Sequence, residues 1–178
     1  MKKQVIAIIG LGYWGTIVTN TLVSMNIFRK IYIYDSDYDK SKILIKKFGS
    51  KVDYLSLDEI KKNKQIKNIF LATPPRENFK ILNSLIDFNK NILIEKPGLI
   101  NSNHYKKIKK KLFLKKNKVS FGYIYIYNNY IRYIKKIIKS KELGKIRYIN
   151  FQRQNFGPIR NKVSAAYDLA THDISILN

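Results

Sequence analysis

"QVIAIIGLGYWG" (residues 4–15) decides how this chain folds. Its first half is short, β-branched and apolar on both faces, the composition of a strand buried in a parallel sheet. Three glycines then follow at Gly10, Gly12 and Gly15. Beyond them a helical pattern runs from Tyr13 to about Phe28. The spacing G-x-G-x-x-G alone is satisfied by any glycine turn, but strand, glycines and helix in this order are the context that a dinucleotide site requires. Gly10 allows the tight turn, Gly12 lets the backbone approach a pyrophosphate, and Gly15 lets helix and strand pack closely. The helix start presents unpaired N–H groups and a partial positive charge to phosphates.

Working outward, strand-like runs recur with amphipathic stretches between them. "KIYIYD" (residues 30–35), "KNIFLATP" (67–74), "KNILIEKP" (90–97) and "KVSFGYIYIY" (118–127) read as strands. "RENFKILNSLIDFN" (76–89) and "NSNHYKKIKKKLFLKKN" (101–117) read as helices. Such alternation predicts an α/β fold, a Rossmann-type doubly wound parallel sheet in strand order 3-2-1-4-5-6. Asp35 ends the second strand, where an acidic residue bonds the adenosine ribose. A turn or helix cap is the plainer role for it. A 2′-phosphate at that point would meet the carboxylate, and like charges ~4 Å apart at an effective dielectric of ~20 repel by roughly 4 kcal/mol. Ser36 follows rather than an Arg that could clamp the phosphate, so NAD is favoured over NADP.

Composition excludes more than it identifies. The 178 residues carry 35 basic and 12 acidic side chains, a formal charge of +23. Nearly all of that charge is Lys, spread through faces such as "KKIKKKLFLKKNK" (residues 106–118) that read as solvated helix surface. No helix-turn-helix, zinc or RNA-recognition signature accompanies it, so specific nucleic-acid binding is not expected. With no Cys there is neither a disulfide nor a thiolate metal site, and no metal is expected. The apolar run at the start breaks at glycines and lacks a cleavage site. No later stretch approaches ~18 apolar residues, so a cytoplasmic protein off the membrane is expected.

Ligands of open α/β sheets gather beyond the carboxyl ends of the strands. Two of these ends are polar, "ATPP" (residues 72–75) and "EKP" (95–97). Their plainer reading is a rigid, proline-bearing loop entry. Lys96, held at the mouth of a cleft, could bond a substrate hydroxyl and share in proton transfer. Near the other end, "YDLATHDISILN" (residues 167–178) sets Asp168 and His172 four apart, on one helical face if the segment is helical. A surface pair or a helix cap would also account for them.

Together, GLGYWG, ATPP, EKP and the late D-x-x-x-H resemble the glucose–fructose oxidoreductase, inositol dehydrogenase and rhizopine catabolism (Gfo/Idh/MocA) family. "IKSKELGKIRYI" (138–149) and "QRQNFGPIRNKVSAAYDLATHDISIL" (152–177) look similar to members acting on nucleotide-linked sugars. The resemblance implies a dehydrogenase acting on a CH–OH group, with a sugar or nucleotide-sugar substrate and NAD as cofactor. It makes Lys96 the active-site lysine, His172 the acid/base and Asp168 its partner. The implied cofactor site comprises Gly10, Gly12, Tyr13, Trp14, Gly15 and Asp35, with Thr73, Pro74, Glu95 and Lys96 from the strand ends. Where the family often carries His after T-P, this chain has Asn78, which puts a contact from that position in doubt. Family members run well past 300 residues, so residues 1–120 are expected to form the dinucleotide-binding domain. Residues 121–178 would then be the start of an α+β substrate domain, C-terminally truncated, entered through a helix at 128–144, a strand at 145–156 and a helix from about Ala165 to Asn178. The full-length form would be a homo-oligomer. The rival expectation is a non-catalytic dinucleotide-binding or regulatory fragment.

Overall fold

A computed structural model describes residues 4–115, 118–154, 164 and 166–177. The chain divides into two compact units, Met1–Gly122 and Tyr123–Asn178. The first is a six-stranded, all-parallel sheet: β1 (Gln4–Ile9), β2 (Phe28–Tyr34), β3 (Val52–Tyr54), β4 (Ile66–Leu71), β5 (Asn91–Ile94) and β6 (Val119–Phe121). Its order is β3-β2-β1-β4-β5-β6, as the alternation predicts. Five helices connect the strands: α1 (Tyr13–Met25), α2 (Tyr38–Phe48), α3 (Leu57–Lys62), α4 (Pro75–Leu85) and α5 (Ser102–Phe113).

The pleat of β1 explains why both faces must be covered. Val5, Ala7 and Ile9 point into one apolar cluster with Leu82, Leu85 and Ile108 from α4 and α5. Ile6 and Ile8 point into the other, with Leu44 of α2 and, less buried, Val18 and Leu22 of α1. Each buried Ile or Leu contributes roughly 1.5–3 kcal/mol, so the strand is held from both sides. α1 ends earlier than its apolar pattern suggests, because Asn26 takes a left-handed conformation (φ 50°) that closes the helix at Met25.

Three expectations need correction. The strand expected over 118–127 stops at Phe121, and Ile124–Tyr127 forms a 3-10 turn instead. Among the described residues β6 pairs only with β5, whose last pair is Ile94↔Phe121. Beyond that point the alternating IYIY has no ladder to join. For the same reason residues 145–154 form no strand: among the described residues of the second unit there is no other strand to receive one. Asn155 and Phe156 lie outside the described residues. The helix there, α6 (Asn129–Ser140), is capped by the Asn128 side chain, which accepts from the N–H of Tyr130 and Ile131. It ends where Lys141 turns left-handed at φ 60°.

The late helix is also not uniform. A π-helical turn covers Ala166–Ala170 and only then does α7 (Thr171–Leu177) begin. The Thr171 hydroxyl donates to the Tyr167 carbonyl at 3.2 Å, competing with the regular helical ladder. Ala165 and Asn178 lie outside the described residues. Among the described residues no helix is long and apolar enough to cross a membrane.

Candidate functional site

The sheet order reverses between β1 and β4, the switch point at which open α/β sheets receive ligands. The glycine turn stands there. Gly10 has φ +93°, and a Cβ on it would come within 2.8 Å of the Ala72 carbonyl and the Thr73 nitrogen. A Cβ on Gly15 would lie 1.9 Å from the Gly10 oxygen. These two glycines are therefore demanded by the protein's own packing. Gly12 is different. Its backbone (φ −66°, ψ −168°) suits any residue, and a Cβ on it would meet nothing within 4 Å. Neither conformation nor internal packing asks for glycine at that position, whereas close approach of a ligand's phosphates does.

Helix caps point the same way. Side chains of Asp37, Ser56 and Asn101 cap α2, α3 and α5. α1 and α4, which follow the two central strands, start from Gly12 and Pro74 without a side-chain cap. At α1 the first N–H groups, those of Tyr13 and Trp14, are thus left to an external acceptor, at the end of the helix where the dipole is positive; α4 starts at Pro75, which has no N–H, and the Glu77 N–H donates to the Pro74 carbonyl at 2.9 Å. Tyr13 and Trp14 occupy the first two helical positions of α1 with exposed side chains, 82% and 39%. What they offer a ligand is chiefly backbone N–H.

Asp35 ties the second strand to this turn. Its Oδ2 accepts from the Leu11 N–H at 2.6 Å, and its Oδ1 accepts from the Asp37 N–H at 2.9 Å and from Lys40 Nζ at 3.4 Å. Burial raises its pKa, but the bonds from Asp37 and Leu11 and the charge of Lys40 outweigh that and hold it below its ordinary value of 3.8. A carboxylate has about four acceptor sites, so ribose hydroxyls would share it with these donors. Lys40, five residues on, is a cation beside the carboxylate that the absence of an adjacent Arg does not reveal.

The two strand ends after β4 and β5 lie side by side. The Glu95 N–H donates to the Leu71 carbonyl at 2.8 Å, and the Gly98 N–H donates to the Glu95 carbonyl at 3.0 Å. Lys96 is half-buried between these anchors, and the Lys96–Pro97 peptide is cis. Asn78 is buried behind both ends and bonded to each. Gly10, Gly12, Gly15, Asp35, Thr73, Pro74, Glu95 and Lys96 thus all belong to the carboxyl edge of one sheet.

Asp168 and His172 belong to the second unit. Asp168 lies in the π-helical turn, its N–H donating to the Ser164 carbonyl at 3.0 Å. His172, 9% exposed, lies in the first turn of α7 with its ring against the edge of Tyr125, centroids 5.0 Å apart. Neighbouring Asp173 accepts from the Arg153 guanidinium in two-pronged fashion, and Arg153 lies 5.1 Å over the Tyr125 ring. The bond to Asp173, then that to Tyr125, raises the Arg153 pKa above its already high ordinary value. Sequence reasoning named Asp168 and His172 but not the Tyr125–Arg153–Asp173 packing around the ring, since those three are far apart in the chain.

Comparison with known proteins adds three findings. The family described as an oxidoreductase family with an NAD-binding Rossmann fold, Gfo/Idh/MocA, matches residues 5–123. Among curated proteins none matches the sequence. Among solved structures, Bacillus subtilis YvaA, described as an oxidoreductase, is 20% identical with a TM-score of 0.78; the match covers 99% of this chain and 52% of that one. Scyllo-inositol dehydrogenase of Lactobacillus casei, solved with NAD(H) and scyllo-inositol, is 17% identical with a TM-score of 0.72, covering 80% of this chain and 43% of that one. An oxidoreductase of Desulfitobacterium hafniense described as NADPH-dependent is 18% identical with a TM-score of 0.81, covering 99% and 54%. At these identities the likeness is one of fold, and the chain spans about half the length of these structures.

Proposed function

This chain belongs to the Gfo/Idh/MocA oxidoreductase family, and on that premise we propose that it binds NAD in its first unit and serves hydride transfer to or from a sugar. The observation that carries the reading is Gly12, a glycine that the protein's own packing and backbone do not require, at the switch point of the sheet. The uncapped start of α1 would hold the pyrophosphate, and Asp35 the adenosine ribose. Thr73, Pro74, Glu95 and Lys96 would line the nicotinamide half. The nicotinamide, when bound, supplies the hydride acceptor at C4.

The chain's own residues would manage the proton. Lys96 Nζ would donate to the substrate oxygen and favour its developing negative charge. The His172 imidazole would accept the hydroxyl proton, with Asp168 orienting it. The substrate class is a sugar or related polyol, nucleotide-linked by the resemblance of residues 138–149 and 152–177. A cytoplasmic location and self-association of the whole protein go with this reading.

One observation favours a second reading for the chain by itself, a dinucleotide-binding module without turnover. The apolar side chains of the late helix, Leu169, Ile174 and Leu177, are exposed, so that face of the helix carrying His172 is unpacked among the described residues. Placement errors of ~1 Å can cost about a hundredfold in rate. The experiment is to follow NAD reduction with a panel of inositols, free sugars and nucleotide sugars. Turnover that disappears in both Lys96→Ala and His172→Ala supports the dehydrogenase. NAD binding without turnover on any of them supports the module.

A further inference from the structure

The first unit contains one buried polar side chain that bridges the two strand ends of the candidate site. Asn78 lies in the first turns of α4 and is 1% exposed. The Thr73 hydroxyl donates to its Oδ1 at 2.7 Å, and its Nδ2 donates to the Gly98 carbonyl at 2.7 Å. The carbonyl can only accept, which fixes the orientation of the amide. Thr73 belongs to the turn after β4, and Gly98 is two residues beyond Lys96. From its other side Gly98 is fixed by Phe121: a Cβ there would lie 2.4 Å from the ring, and φ is +80°. The segment carrying Lys96 is therefore pinned at Glu95 by Leu71 and at Gly98 by Asn78 and Phe121.

We propose that Asn78 is a positioning residue, setting the Thr73 turn and the Lys96 segment at one fixed separation for the nicotinamide half of the cofactor. This rests on the dinucleotide reading above. Both polar ends of the amide are used between the two turns, so its loss changes their spacing and leaves the Gly98 carbonyl buried without that donor. The adenosine half meets other groups, those of residues 10–15 and Asp35, to which Asn78 makes no hydrogen bond.

That division gives the test. ADP-ribose carries the adenosine and pyrophosphate but lacks the nicotinamide. Asn78→Asp keeps the shape but turns the donor to Gly98 into a second acceptor; Thr73→Val removes the hydroxyl donor. Dissociation constants for NADH and ADP-ribose, with thermal melts, are measured for the wild type and both variants. For Asn78→Asp we expect NADH affinity to fall about tenfold, as for loss of one buried hydrogen bond, and ADP-ribose affinity by less than about twofold. Thr73→Val should show the same split at about threefold. Equal weakening of both ligands, or unchanged NADH binding, in a variant that melts cooperatively overturns the proposal. If Asn78→Asp does not fold, the same split read in Asn78→Ser decides, because Thr73 itself lines the nicotinamide half. A wild type that binds neither ligand refutes the dinucleotide reading itself, a result distinct from loss of the split.

Discussion

In the first unit Ile8, Ile9, Ile31, Ile33, Ile66 and Leu71 are sealed between helices on both faces of a sheet. In the second, the buried residues among those described are His172 and Ser175, both polar. α6 buries none of its twelve residues and exposes Tyr130, Tyr133, Ile134 and Ile138. One unit carries its own hydrophobic driving force. The other places polar groups inside while leaving apolar ones out, the reverse of what stabilises a domain by itself. Stability and cofactor binding should therefore follow the first unit.

The largest effect separates the two cores. Leu82→Ala should cost about 2–5 kcal/mol in denaturant unfolding, because Leu82 is fully buried. Ile134→Ala, on an exposed helix face, should stay within about 0.5 kcal/mol. Similar losses at the two sites would break the comparison. Next, a chain ending at Gly122 should bind NADH within about twofold of the intact chain, since a twofold change is only about 0.4 kcal/mol. A much weaker complex, read by NADH fluorescence, would show that the second unit contributes to the cofactor site.

Acid sharpens the picture inside the first unit. Asp35 has a folded pKa below its ordinary 3.8, so its stabilisation is complete above that value and is lost as pH falls through the folded one. Asp35→Asn should flatten the acid limb of the stability–pH curve, measured by thermal melts, without altering its slope near neutrality. An unchanged acid limb would contradict the role of the Leu11 and Asp37 bonds. The smallest effect concerns Lys40, partly exposed and 3.4 Å from Asp35. Ion pairs of this kind are worth about 0–1 kcal/mol, so Lys40→Gln should shift the ratio of NAD to NADP affinity toward NAD by no more than about fivefold. Paired titrations of both cofactors check it. A shift toward NADP would reverse the assigned sign.

What was legible in the sequence follows the range of the forces involved. β1, the glycine turn and α1 are dictated by residues a few positions apart, and they were readable as elements. The strand order followed from the alternation of strands and helices. β3 was not readable, because three residues, Val52–Tyr54, carry no period, and only pairing with Ile31, Tyr32 and Ile33 makes them a strand. Residues 124–127 and 145–154 failed in the opposite sense, with a strand-like alternation but no neighbouring strand. At the site, the candidate residues were legible as motifs, but their tethers were not. Asn78 holds a carbonyl twenty positions away. Lys90, in a chain full of solvated lysines, is 2% exposed and donates to the carbonyls of Asn63 and Ile66 at 2.7 and 2.8 Å. No local pattern distinguishes it from its exposed counterparts.

The most direct test of the central claim is NADH titration of Gly12→Leu beside the wild type. The backbone at Gly12 suits any residue, and a Cβ there meets nothing within 4 Å, so the substitution should leave the melting temperature of the free protein nearly unchanged. The account predicts that the same side chain fills the space of the pyrophosphate and lowers NADH affinity by at least about a hundredfold, some 2.7 kcal/mol. A Gly12→Leu protein that folds normally and binds NADH as tightly as the wild type would contradict it.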